Sequence, residues 1–89
     1  MIHDYELKVA RRILAVQWLG DDVSLDDIKK MIGLSYVRYE YDVLYIQAGL
    51  YGESGWVKVP LNSWVAIKDF DAWPISDKMF KESYKEVVL

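Results

Sequence analysis

Cysteine is absent from this chain, and its absence excludes a disulfide framework, a thiolate zinc site and a thiol nucleophile. Histidine occurs once, as His3 close to the N-terminus, so a nucleophilic triad, histidine general acid-base chemistry and a histidine zinc cluster all lack their parts. Only carboxylates remain for acid-base work. No stretch approaches the roughly eighteen consecutive apolar residues of a membrane span, and the opening Met1-Ile2-His3-Asp4 has neither the basic nor the apolar region of a signal peptide. Charge of one sign is not concentrated anywhere. Eleven basic and fourteen acidic residues interleave to a net charge of -3, which argues against a duplex-DNA binder driven by counterion release. These absences predict a cytoplasmic protein that binds rather than catalyses, with no cofactor, no metal and no membrane association.

What is present is apolar and aromatic. Of 89 residues, 53% are hydrophobic, including four Trp and seven Tyr, enough for one packed core and a single domain spanning 1–89. Rings in this number exceed what one small core holds, which predicts an exposed aromatic surface and self-association into a homo-oligomer.

Residues 7–18 read as a strand best defined over 13–19. Ser24, with Asp27 three residues on, reads as the cap of an amphipathic helix through Leu25, Ile28, Met31 and Ile32, stopped by Gly33. Residues 36–40 and 43–48 flank a Tyr41-Asp42 hairpin turn, and further turns at 52–55 and 60–63 lead into strands at 56–59 and 64–68. After 69–74, Ser76 caps a second short helix, and 84–88 return as a closing strand. The predicted architecture is α+β: a twisted antiparallel sheet of about five strands with two short helices on one face.

Alternation divides the meander strands into two sets. Val37, Tyr39, Leu44, Ile46, Val57, Val59, Val65 and Ile67 form the predicted core face. The other set carries Tyr36, Arg38, Tyr45, Gln47, Trp56, Lys58, Trp64 and Lys68, where rings can stack on a planar group while cations neutralise an anion. Arg38, Tyr45, Trp56, Lys58 and Trp64 are the candidate ligand-binding residues. The same composition suits a solvated sheet face or a protein interface. Asp21, Asp22, Asp26 and Asp27 suggest a metal site only weakly, because acids at a helix start oppose its dipole; Gly49, Gly52 and Gly55 read as turn glycines.

Two stretches carry a resemblance. Tyr5-Glu6-Leu7-Lys8, Leu14-Ala15-Val16-Gln17-Trp18-Leu19-Gly20-Asp21 and Ile28-Lys29-Lys30-Met31-Ile32-Gly33 form the first; Trp64-Val65-Ala66-Ile67, Asp71-Ala72-Trp73-Pro74 and Phe80-Lys81-Glu82-Ser83-Tyr84 form the second. Together they resemble a family of short, uncharacterised phage and prophage proteins. This chain departs from the family pattern at Leu61-Asn62-Ser63, where Pro-Gly-Asp is common, and at Ile75, where Cys is common. The resemblance implies an α+β fold and action inside an infected bacterial cell, and lends no active site. It leads to the expectation of a counter-defence protein that sequesters a nucleotide-derived immune signal without cleaving it; the alternative is a protein-protein inhibitor of a host enzyme.

Overall fold

The computed structural model describes residues 2–7 and 11–86. Its elements run β1 (His3–Leu7), β2 (Arg11–Gln17), α1 (Asp22–Ile32), a single 3-10 turn (Leu34–Tyr36), β3 (Val37–Glu40), β4 (Val43–Leu50), β5 (Gly55–Val59), β6 (Trp64–Lys68), β7 (Asp71–Ile75), α2 (Asp77–Ser83) and β8 (Tyr84–Glu86). Every strand pairing is antiparallel, so the α+β class with an antiparallel sheet and two short helices is the observed fold.

Among the described residues the sheet counts eight strands, extending the predicted set of about five. The predicted first strand is preceded by a partner: β1 folds against β2 with His3 opposite Ala15, and β8 adds to β1 with Tyr5 opposite Glu86. Residues 71–75, left outside the predicted strands, form β7 against β6. Positions 8–10 of the predicted first strand and 87–88 of the closing one lie outside the described residues.

Strand β4 is the joint of the sheet. It pairs β3 over residues 43–46, β5 over residues 44–48, and β7 through Gly49 and Leu50. Two hairpins turn on two residues each, Tyr41-Asp42 (φ 50 and 62°) and Asp69-Phe70 (φ 50 and 66°). Both central residues in the left-handed region give the type I′ geometry, whose twist matches that of paired strands.

The two helices occupy opposite faces, not one. Val16 of β2 and Trp18 just beyond it belong to a core with Ile28 and Ile32 of α1, Leu44 and Ile46 of β4, and Val59, Val65 and Ala72. The alternate residues, Ile13 and Ala15 with Ala66 of β6, form a second core around Phe80 of α2. Both parities of β2 and β6 are apolar, so these central strands need cover on both sides. The predicted core face therefore accounts for one of two cores.

The second core takes up many of the rings that suggested a surplus. Tyr5, Trp64, Trp73 and Tyr84 pack against this core, and the Trp64 and Phe80 rings stack with centroids 3.9 Å apart. Trp18 is only 3% exposed, and of the four tryptophans Trp56 alone is exposed, at 41%.

Helix α1 starts earlier than predicted. Its cap is Asp21, whose Oδ1 accepts from the Ser24 backbone N–H at 2.8 Å and from the Ser24 hydroxyl at 2.6 Å. Ser24 sits in the first turn and is buried, and its Oγ accepts from the Leu19 N–H. Those bonds hold the Asp21 carboxyl below its ordinary range. Gly33 ends the helix at φ 101°, its N–H donating to the Lys29 carbonyl, and Ser76 caps α2 as predicted.

Candidate functional site

The β3–β4–β5 meander presents one face to its core and one to solvent. Along β4, residues 44, 46 and 48 are buried and the intervening positions are half-buried, the pattern of a sheet covered on one side only. On the open face, pairing sets side chains in rows. Arg38 lies opposite Tyr45, and Tyr45 opposite Lys58, so a phenol ring stands between two cations on adjacent strands. Gln47 opposite Trp56 forms the next row.

The two cations differ in their surroundings. Arg38 donates through Nε at 2.8 Å and through a terminal guanidinium nitrogen at 3.0 Å to the two Glu40 oxygens, a bidentate pair along β3. This contact raises the Arg38 pKa and lowers that of Glu40. Lys58 has no ion-pair partner among the described residues. The uncompensated positive charge of the face is therefore centred on Lys58, beside Tyr45.

Four of the five candidate residues, Arg38, Tyr45, Trp56 and Lys58, thus share this face. Trp64 does not. It lies on β6 beneath α2, its indole N–H donating to Asp77 Oδ1 at 2.9 Å and its ring stacked on Phe80. Parity alone assigned it to the open face, but β6 is covered on both sides and the face of Trp64 is core. Gln17 donates to the same Asp77 oxygen at 3.3 Å, and Lys81 pairs with the other at 2.9 Å. The Trp64 bond first, then that of Lys81, depresses the Asp77 pKa. This cluster fastens α2 to β2 and β6. Lys68, also expected on the aromatic face, is held over the strand pair by donating to the Arg12 carbonyl at 3.1 Å.

The Arg38–Tyr45–Lys58 row lies on an open sheet face. A groove of about 390 Å³ opens at its Lys58 end, between the Tyr41-Asp42 turn and Leu61, with Trp18, Tyr39, Asp42 and Val43 in its walls. Tyr39 donates its hydroxyl to Asp42 there at 3.3 Å and meets the Trp18 ring edge-on. Further along β4, past Gln47, a cavity of about 40 Å³ is walled by Tyr36, Gln47, Tyr51, Gly52 and Phe70, room for a water rather than a nucleotide. The exposed Tyr51 and Phe70 rings stack at 5.3 Å, both on left-handed backbone. Sequence reasoning missed Tyr39, Asp42 and Leu61 because a groove made by two turns from distant parts of the chain has no local signature. Tyr51 and Phe70 carry one: turns that call for Asn or Gly hold bulky rings instead.

Among the described residues, no group of His, Asp and Glu side chains is arranged to hold a metal ion, and no helix is long and apolar enough to cross a membrane. No protein-family model matches the chain, and neither a curated protein nor a solved structure shows significant similarity to it.

Proposed function

We propose that this is a small binding protein whose open β3–β4–β5 face holds a planar, anionic, nucleotide-like ligand without cleaving it. The observation that carries the reading is the row Arg38–Tyr45–Lys58, with Trp56 and Gln47 beside it. A base stacks on Tyr45 or Trp56, an amide such as Gln47 reads its edge, and Lys58 supplies the charge that attracts phosphate. Arg38, held by Glu40, contributes geometry more than net charge. The resemblance to short phage proteins gives this chemistry a setting: sequestration of a nucleotide-derived immune signal in the cytoplasm of an infected bacterium.

The face is open and shallow, so the ligand lies on it rather than in a closed pocket. Openness also supports a second reading, inhibition of a host protein, to which the exposed stacked pair Tyr51–Phe70 would add an anchor. Calorimetric titration against cyclic dinucleotides and adenosine-diphosphate-ribose derivatives separates the two. Tyr45→Ala and Trp56→Ala each weaken nucleotide binding by about 1–3 kcal/mol, and Lys58→Ala weakens it in a salt-dependent way. A panel without any binder removes the nucleotide reading and leaves the protein-partner one.

A further inference from the structure

Strand β5 pairs only with β4, and the register shows which of its backbone groups are left over. The Tyr41-Asp42 turn is closed by the pair Glu40–Val43, so β4 residues 43 and 45 point their N–H and C=O groups at β3. Residues 44, 46 and 48 consequently point at β5, as the bond from the Ser54 N–H to the Ala48 carbonyl requires. Their partners Val59, Val57 and Gly55 point back, and the backbone groups of Trp56 and Lys58 face outward. Among the described residues, nothing pairs with them.

We propose that a second copy of this chain pairs antiparallel with this edge, about a two-fold axis at Val57, setting Trp56 of each copy across from Lys58 of the other. The register is self-complementary. With Val57 on the axis, Trp56 and Lys58 become mutually hydrogen-bonded partners, giving four main-chain bonds from the outward groups. On the open face, each ammonium lies against the indole of the other copy, a cation–π pair repeated twice by symmetry. The half-buried Val57 side chains meet on the core side at the axis. Pro60, which has no N–H to offer, ends the ladder one pair further on. Edge lysines commonly block such pairing; here the residue opposite Lys58 is a ring rather than another cation.

The result is a continuous six-stranded face on which the Arg38–Tyr45–Lys58 row runs on into Trp56 and Gln47 of the second copy. The pairing extends the face invoked for the ligand but needs no ligand, so the two readings fail separately.

Light scattering on the ligand-free protein tests it. The native chain elutes at twice its 10.4 kDa mass in the micromolar range. Trp56→Lys places like charges across the axis and elutes at the monomer mass with its circular dichroism unchanged. The swap Trp56→Lys with Lys58→Trp restores ring against cation and returns the dimer, a rescue that only this register provides. In the native protein, the Trp56 and Lys58 amides exchange slowly with solvent at high concentration and quickly on dilution, a readout that needs no variant. A native monomer with fast exchange at both amides, a Trp56→Lys protein that stays dimeric, or a folded double variant that stays monomeric overturns the proposal.

Discussion

The Trp64 indole N–H donates to the Asp77 carboxylate at 2.9 Å while its ring stacks on Phe80 at 3.9 Å, tying a strand and a helix into one aromatic core. A residue whose alternation matches that of Trp56 therefore has a different task. Trp64→Ala should lower stability by about 3 kcal/mol, the lower end of the range for aromatic truncation because the ring is only half-buried. Trp64→Phe, which keeps a ring against Phe80, should retain most of it. Urea unfolding gives both values, and ligand affinity of the folded fraction should be unchanged.

Acid sensitivity should report the same cluster. The Trp64 and Lys81 contacts depress the folded Asp77 pKa below its ordinary 3.8, so the stability they contribute is present above that value and is lost as pH falls from it through the folded pKa. Unfolding curves between neutral pH and pH 3 should be less steeply acid-dependent for Asp77→Asn than for the native protein. An identical slope for the two would remove Asp77 from the account. Asp21, depressed by its bonds to Ser24, adds to the same acid limb in both proteins.

The Tyr41-Asp42 turn offers a gain rather than a loss. Tyr41 is almost fully exposed at φ 50°, a left-handed backbone that costs a bulky residue energy. Tyr41→Asn should stabilise the protein by about 1 kcal/mol or less, read as a raised melting temperature, without altering the β3–β4 register.

How much of this was legible in the sequence follows from how many faces each strand buries. Residues 43–48 alternate cleanly, so the core positions Leu44 and Ile46 and the outward positions Tyr45 and Gln47 could be read directly. Residues 13–16 and 64–67 are apolar at nearly every position, the mark of strands buried on both sides, and that pattern rather than parity should have placed Trp64 in a core. Strand β1 was hidden because its alternation is short, Tyr5 and Leu7 set between Asp4 and Glu6, and it is defined by its pairing with β2. Strand β7 was hidden by its opening Asp-Phe turn and by Pro74, which reads as a breaker in a strand. The helix cap fell on Asp21 because its carboxylate reaches both the N–H and the hydroxyl of Ser24, a pairing that spacing alone did not distinguish from a Ser24 cap.

The central claim is that the face carrying Arg38, Tyr45, Gln47, Trp56 and Lys58 holds a nucleotide-like ligand, and amide and indole chemical shifts of the isotopically labelled protein test it residue by residue. On titration with a cyclic dinucleotide or an adenosine-diphosphate-ribose derivative, the shifts should concentrate on those five residues and the Trp56 indole. The Trp64 indole, shielded beneath α2, should stay in place. Shifts centred instead on Trp64, or on Tyr51 and Phe70, or no shifts with any member of the panel, would contradict it.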